Sequence, residues 1–174
     1  MEIINRVAQS AIEVYNLESL WDGKPVVAFD LAKYLHKGLV LREMPFREAM
    51  TTTHWATYDD VHVAITCSTP AIVPRWAYML VVSFLEGHAV SVAFGNESDL
   101  VRDHFVRALS QEDWSRYSGV PVVLKGCNSP IVPLDAYLLA TRYLQRYAKR
   151  IMYGEPCSAV PIWRKPKALV SVLS

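Results

Sequence analysis

Residues 54–95 read as a near copy of residues 113–154. Trp55 and Tyr58 fall on Trp114 and Tyr117, and Val61 and Val63 on Val120 and Val122. A one-residue shift aligns Cys67 and Pro70 with Cys127 and Pro130; undoing it brings Ile72, Val73 and Pro74 onto Ile131, Val132 and Pro133. Further on, Ala77, Tyr78, Leu80, Leu85, Ala89 and Gly95 match Ala136, Tyr137, Leu139, Leu144, Ala148 and Gly154. No other feature constrains the fold as strongly, because whatever each copy forms must be a unit that can be built twice.

Each copy has the pattern of a β-α-β unit. "VHVAITC" and "VPVVLKGC" are short, rich in β-branched residues and followed by turn residues, which predicts strands. Helices are expected over "VPRWAYMLVVSFLEG" and "VPLDAYLLATRYLQRYAK", with Pro74 and Pro133 in the first turn, where a missing N–H costs nothing. In the second helix Leu134, Tyr137, Leu138, Thr141 and Leu144 form the expected inward stripe, and Arg142, Gln145, Arg146 and Lys149 face water. "AVSVAFG" and "RIMYG" then read as strands ending in glycine. Crossovers of this length favour parallel, right-handed pairing.

Between the copies, residues 98–110 read as a helix with Ser98 as N-cap. In the first fifty residues "IEVYNL" and "PVVAFDL" read as strands, "LAKYLHKG" as a short helix stopped by Gly38, and "PFREAMTTT" as a helix begun by Pro45. The tail "PIWRKPKALVSVLS" reads as an extended arm. The expected fold class is therefore α/β, with a mostly parallel sheet flanked by helices. One domain is expected over residues 1–174: an N-terminal segment (1–53), the two repeats (54–95 and 113–154) and a C-terminal arm (155–174).

A chain of 174 residues with 52% hydrophobic residues can bury about 70% of its unfolded surface, so it is not disordered. Eighteen basic and seventeen acidic residues leave a net charge of +1, which gives no global field for nucleic acid or membrane. The start "MEIINRVAQS" lacks a secretory h-region, and runs such as "WAYMLVVSFL" fall short of a bilayer span. A soluble, cytoplasmic protein with reduced thiols is expected. There is no G-x-G-x-x-G, P-loop, H-E-x-x-H or G-x-S-x-G, hence no nucleotide or hydrolase motif. "WRKPK" at 163–167 is basic but too short to imply a phosphate partner.

The three cysteines carry the sharpest functional expectation. Cys67 and Cys127 close predicted strands just before helix starts, and Cys157 follows the strand ending at Gly154. In one parallel sheet all three would lie beyond the C-terminal strand ends, where α/β sheets bind ligands. Helix N-termini there favour thiolate. Thiolates select zinc, copper(I) or an iron–sulfur cluster. A closed zinc site needs a fourth ligand, with Glu155, Asp30, Glu43 or a histidine as candidates and Glu155 carried forward with the cysteines. The ordinary alternative is three small buried hydrophobes, since no closely paired C-x-x-C occurs.

"EIINRVAQS", "GLVLREMPFREAM", "AIVPRWAYML" and "YAKRIMYGEPCSAVPIWRKPK" resemble the uncharacterised bacterial family called domain of unknown function 2480. "GEPCSAVP" is the most specific piece, and the resemblance covers nearly the whole chain. It implies a thiol site at Cys67, Cys127 and Cys157, and a role in cluster assembly beside iron–sulfur assembly proteins. Two alternatives stay open. Cys127 or Cys157 would be an activated nucleophile in a thiol-dependent enzyme, with His54, His62 or Glu155 as base. Otherwise the chain is a non-catalytic structural or interaction module with buried cysteines. Oligomeric state is left open, a homodimer included.

Overall fold

The computed structural model describes residues 12–126 and 128–166. In chain order the strands are β1 (Glu13–Asn16), β2 (Val26–Asp30), β3 (Leu35–His36), β4 (Val40–Leu41), β5 (His62–Thr66), β6 (Ser91–Phe94), β7 (Pro121–Lys125), β8 (Arg150–Tyr153) and β9 (Val160–Arg164). The helices are α1 (Glu43–Thr52), α2 (Arg75–Leu85), α3 (Glu97–Gln111) and α4 (Leu134–Leu144). The fold is mixed α/β. Contacts group into a central unit, Asp22–His104, and a terminal unit made of Met1–Trp21 and Phe105–Ser174.

The central unit holds a parallel sheet of order β2-β5-β6, with Val26 beside His62 and His62 beside Ser91. Its middle strand is covered on both faces, which is why "HVAIT" is apolar without alternation after its first residue. Helix α2 links β5 to β6 and buries Ala77, Val81 and Leu85, a stripe at i, i+4, i+8. Phe29, Phe46, Met50, Trp55, Val63 and Ile65 fill the core with them. The Trp55 ring stacks between Phe29 (5.6 Å) and Phe84 (5.3 Å) and donates its Nε1–H to the Met50 carbonyl at 2.8 Å.

Three local expectations are corrected here. "LAKYLHKG" is a single 3-10 turn, Leu31–Tyr34, followed by the hairpin β3–β4. Three residues, 37–39, join its strands; Lys37 and Gly38, at φ 52° and 70°, are the central pair of a turn closed by the Leu39 amide donating to the His36 carbonyl at 3.1 Å, with the positive φ values that match strand twist. Helix α1 starts two residues before Pro45, which sits in the first turn. Helix α3 is capped by Asn96 and not Ser98: the Asn96 Oδ1 accepts the Asp99 amide at 3.1 Å, and the Asp99 carboxylate accepts the Asn96 amide at 3.0 Å.

The terminal unit holds a sheet of order β1-β7-β8-β9, parallel except for β9, which runs antiparallel beside β8 with a register shift between Ile151 and Met152. Helix α4 links β7 to β8 and buries Ala136, Ala140 and Leu144. Phe105, Leu109, Val122, Val123, Leu124 and Ile151 complete the core. Trp114 stacks on Tyr143 at 5.4 Å and donates Nε1–H to the Leu109 carbonyl at 2.9 Å. The expected extended arm is β9 up to Arg164; residues 167–174 lie outside the described residues. The sheet anticipated as one is thus several: β5 and β6 belong to the central sheet, β7 and β8 to the terminal one. No described helix is long and apolar enough to cross a membrane.

Candidate functional site

Each parallel sheet presents its C-terminal strand ends as a polar rim. In the central unit Asp30 closes β2 and orders the loop after β5. Its carboxylate accepts the Ser68 amide at 3.0 Å, the Ser68 hydroxyl at 2.6 Å and the Ala32 amide at 2.9 Å. Burial opposes its charge, but the hydrogen bonds from Ser68 and Ala32 outweigh it and hold the carboxyl below its ordinary value. Cys67 is half-buried on that loop, its thiol 3.4 Å from the Thr69 carbonyl. Burial, and then the neighbouring Cys67, raise the Tyr78 phenol.

In the terminal unit Asn16 closes β1 and accepts the Glu18 amide at 3.1 Å, while Glu18 accepts the Asn128 amide at 3.2 Å. Lys125, at the end of β7, pairs with Glu155 at 3.1 Å. Gly126 follows with φ 156°, and a Cβ there would stand 2.7 Å from the Tyr137 hydroxyl and 3.2 Å from the Leu17 Cβ, so any larger residue would force the Tyr137 side chain to shift. Cys157 is exposed in the turn after β8.

This geometry overturns the proposed metal or cluster site. Cys67 belongs to the central unit and Cys157 to the terminal one, and Cys127 lies outside the described residues. Among the described residues no group of three or more His, Cys, Asp or Glu side chains could hold a metal ion. The candidate fourth ligands are engaged: Glu155 by Lys125, Asp30 by Ser68 and Ala32, Glu43 by Arg47 at 2.9 Å, and His88 by Asp59 at 2.6 Å. Burial is corrected for the two described cysteines, for Cys67 is half-buried and Cys157 exposed. His62, one of the candidate bases, is fully buried at the opposite end of β5.

His62 has its own setting. Its Nε2 is 2.9 Å from Asp22 and its Nδ1 2.8 Å from the Ser91 hydroxyl. A carboxylate only accepts, so in the neutral ring Nε2 carries the proton and Nδ1 accepts from Ser91. Burial would raise the Asp22 carboxyl, yet the bonds from His62 and the Lys24 amide, with His62 and His104 nearby, hold it below its ordinary value. This Ser–His–Asp chain lies at the N-terminal strand ends, opposite the rim where such sheets take ligands. It latches the start of β6 to β5 and to the chain leading into β2.

The feature that the sequence hid is a cleft of about 670 Å³ in the terminal unit, lined by Leu124, Leu134, Tyr137, Leu138, Tyr153 and Ile162, with Thr141 and Arg142 at its polar side. Leu134 and Leu138, expected inward, are 70% and 59% exposed. The helix face against the sheet is instead the small-residue stripe Ala136–Ala140, which brings the backbone close and leaves the leucine stripe beside it uncovered. Tyr137 and Tyr153 meet edge to face at 5.7 Å on the cleft wall. The only signal in the sequence was two adjacent apolar stripes on one helix, of which a sheet can cover one.

The family described as "Protein of unknown function (DUF2480)" matches residues 1–165. No curated protein and no solved structure matches the chain. The chain belongs to that family of proteins of unknown function.

Proposed function

Taking that membership as premise, we propose that this chain is a non-catalytic binding module whose terminal unit takes an apolar, anionic small molecule in the α4–β8–β9 cleft. The observation that carries it is the lining: a concave site within the usual size range of ligand pockets, apolar over nearly all of its wall, with Thr141 and one charged group, Arg142, also lining it. Arg142 has no ion-pair partner among the described residues. Its guanidinium suits a carboxylate or sulfonate head while the leucines and tyrosines take the chain.

Dodecanoate and the dye 8-anilinonaphthalene-1-sulfonate are the probes. Saturable binding of both is expected, weakened about tenfold or more in Leu138→Glu, whose side chain is too exposed to matter for folding. Absence of saturable binding, or equal affinity in the variant, contradicts the proposal.

We further propose that residues 54–95 and 113–154 are copies of one β-α-β ancestor within a single domain. Support comes from details beyond the aligned letters. Trp55 and Trp114 each donate to a carbonyl five residues back. Asp30 and Asn16 each close the strand beside β5 or β7 and accept an amide two residues on. Tyr78–Phe94 and Tyr137–Tyr153 are edge-to-face pairs at 5.4 and 5.7 Å.

A further inference from the structure

By itself the basic run "WRKPK" is three cations, Arg164, Lys165 and Lys167. Strand pairing changes that. Antiparallel β8 and β9 set Arg164 directly opposite Arg150, and the Lys165 amide donates to the Lys149 carbonyl at 3.0 Å. Arg150 and Arg164 thus meet across the strand pair, Lys149 and Lys165 adjoin them just beyond the strand ends, and all four are exposed. Like charges directly opposite in a sheet repel. None of the four has an acidic partner among the described residues, and Glu155, the acid next along the chain, is held by Lys125.

Directly opposite residues project from the same face of a sheet, so the two guanidinium groups share a face. Neighbouring strands lie about 4.8 Å apart and residues rise about 3.3 Å along each. The cluster is therefore compact and not a stripe, which suits one multiply charged group better than a strand of nucleic acid. Guanidinium forks match phosphate oxygens in pairs, and flanking ammonium groups raise the local potential.

We propose that Arg150 and Arg164, flanked by Lys149 and Lys165, form a binding site for a multiply charged phosphate group. The site is separate from the apolar cleft and needs no ligand there. Two sources carry this chemistry: a soluble oligophosphate and the headgroup of a polyphosphorylated inositol lipid.

The test titrates the full chain at low ionic strength with inorganic tripolyphosphate, with phosphatidylcholine vesicles containing phosphatidylinositol bisphosphate, and with a DNA duplex. Arg150→Glu is the main variant, and the double variant Arg150→Gln/Arg164→Gln covers any folding failure. Saturable tripolyphosphate binding, weakened about tenfold or more in either variant, is expected. Vesicle binding with the same dependence assigns the lipid source; tripolyphosphate binding without it assigns the soluble one. In phosphate-free buffer the melting temperature of Arg150→Glu is expected at or above the parent's, because Glu would then face Arg164. No saturable binding of either phosphate probe, binding of the duplex alone, or affinities that ignore the variants would overturn the assignment.

Discussion

At the scale of single residues, the His62 latch makes a pH prediction with a definite sign. The Asp22 carboxyl is held below its ordinary value in the folded chain. It therefore adds stability above the unfolded carboxylate value of about 3.9, and that contribution fades as pH falls through the lowered folded value. Urea midpoints of the parent should fall from pH 5 toward pH 3 more steeply than those of Asp22→Asn; parallel curves would contradict the latch. Replacing Ser91 by alanine leaves a buried Nδ1 without its donor and should cost about 1–3 kcal/mol by the same measurement. A second residue-scale prediction concerns Gly126. Gly126→Ala should destabilise by about 1–3 kcal/mol through overpacking against Tyr137, and adding Tyr137→Phe should recover part of the loss by removing the colliding oxygen.

At the scale of elements, helix α4 shows both what the sequence discloses and where it stops. That "VPLDAYLLATRYLQRYAK" is helical follows from proline entry and periodicity, and α4 runs from Leu134 to Leu144. Which stripe faces the sheet does not follow, because leucines and alanines alternate around the helix and hydrophobicity favours the leucines. Close packing on a sheet favours the alanines, and only the mate surface decides. Ala140→Leu is accordingly expected to cost about 1–3 kcal/mol by forcing helix and sheet apart, while Leu138→Glu should stay within about 0.5 kcal/mol of the parent. Equal effects of the two, measured by urea unfolding, would return the leucine stripe to the interior. Strands β1, β2 and β5 to β8 were legible because β-branched runs flanked by Gly, Pro and Asp leave little choice, whereas the two-residue strands β3 and β4 are too short to show a period. The cap of α3 was not, because Asn96 and Ser98 are both good caps and only the reciprocal bond with Asp99 selects Asn96.

At the scale of the whole molecule, the alternation of strands and helices was readable, and so was family membership. The placing of the cysteines was not. Convergence of Cys67 and Cys157 required one shared sheet, whereas pairing sorts β5 and β8 into two, and nothing in short-range pattern specifies which strands become neighbours. Charge was hidden in the same way: a net charge of +1 averages over a cluster that only the pairing of β8 with β9 brings together. The central claim is that the α4–β8–β9 cleft is a binding site, and amide chemical-shift mapping with dodecanoate tests it most directly. Saturable shifts are expected at Leu134, Leu138, Thr141, Tyr153 and Ile162, with none along β2, β5 and β6. Shifts confined to the central unit, or none at saturating ligand, would contradict it.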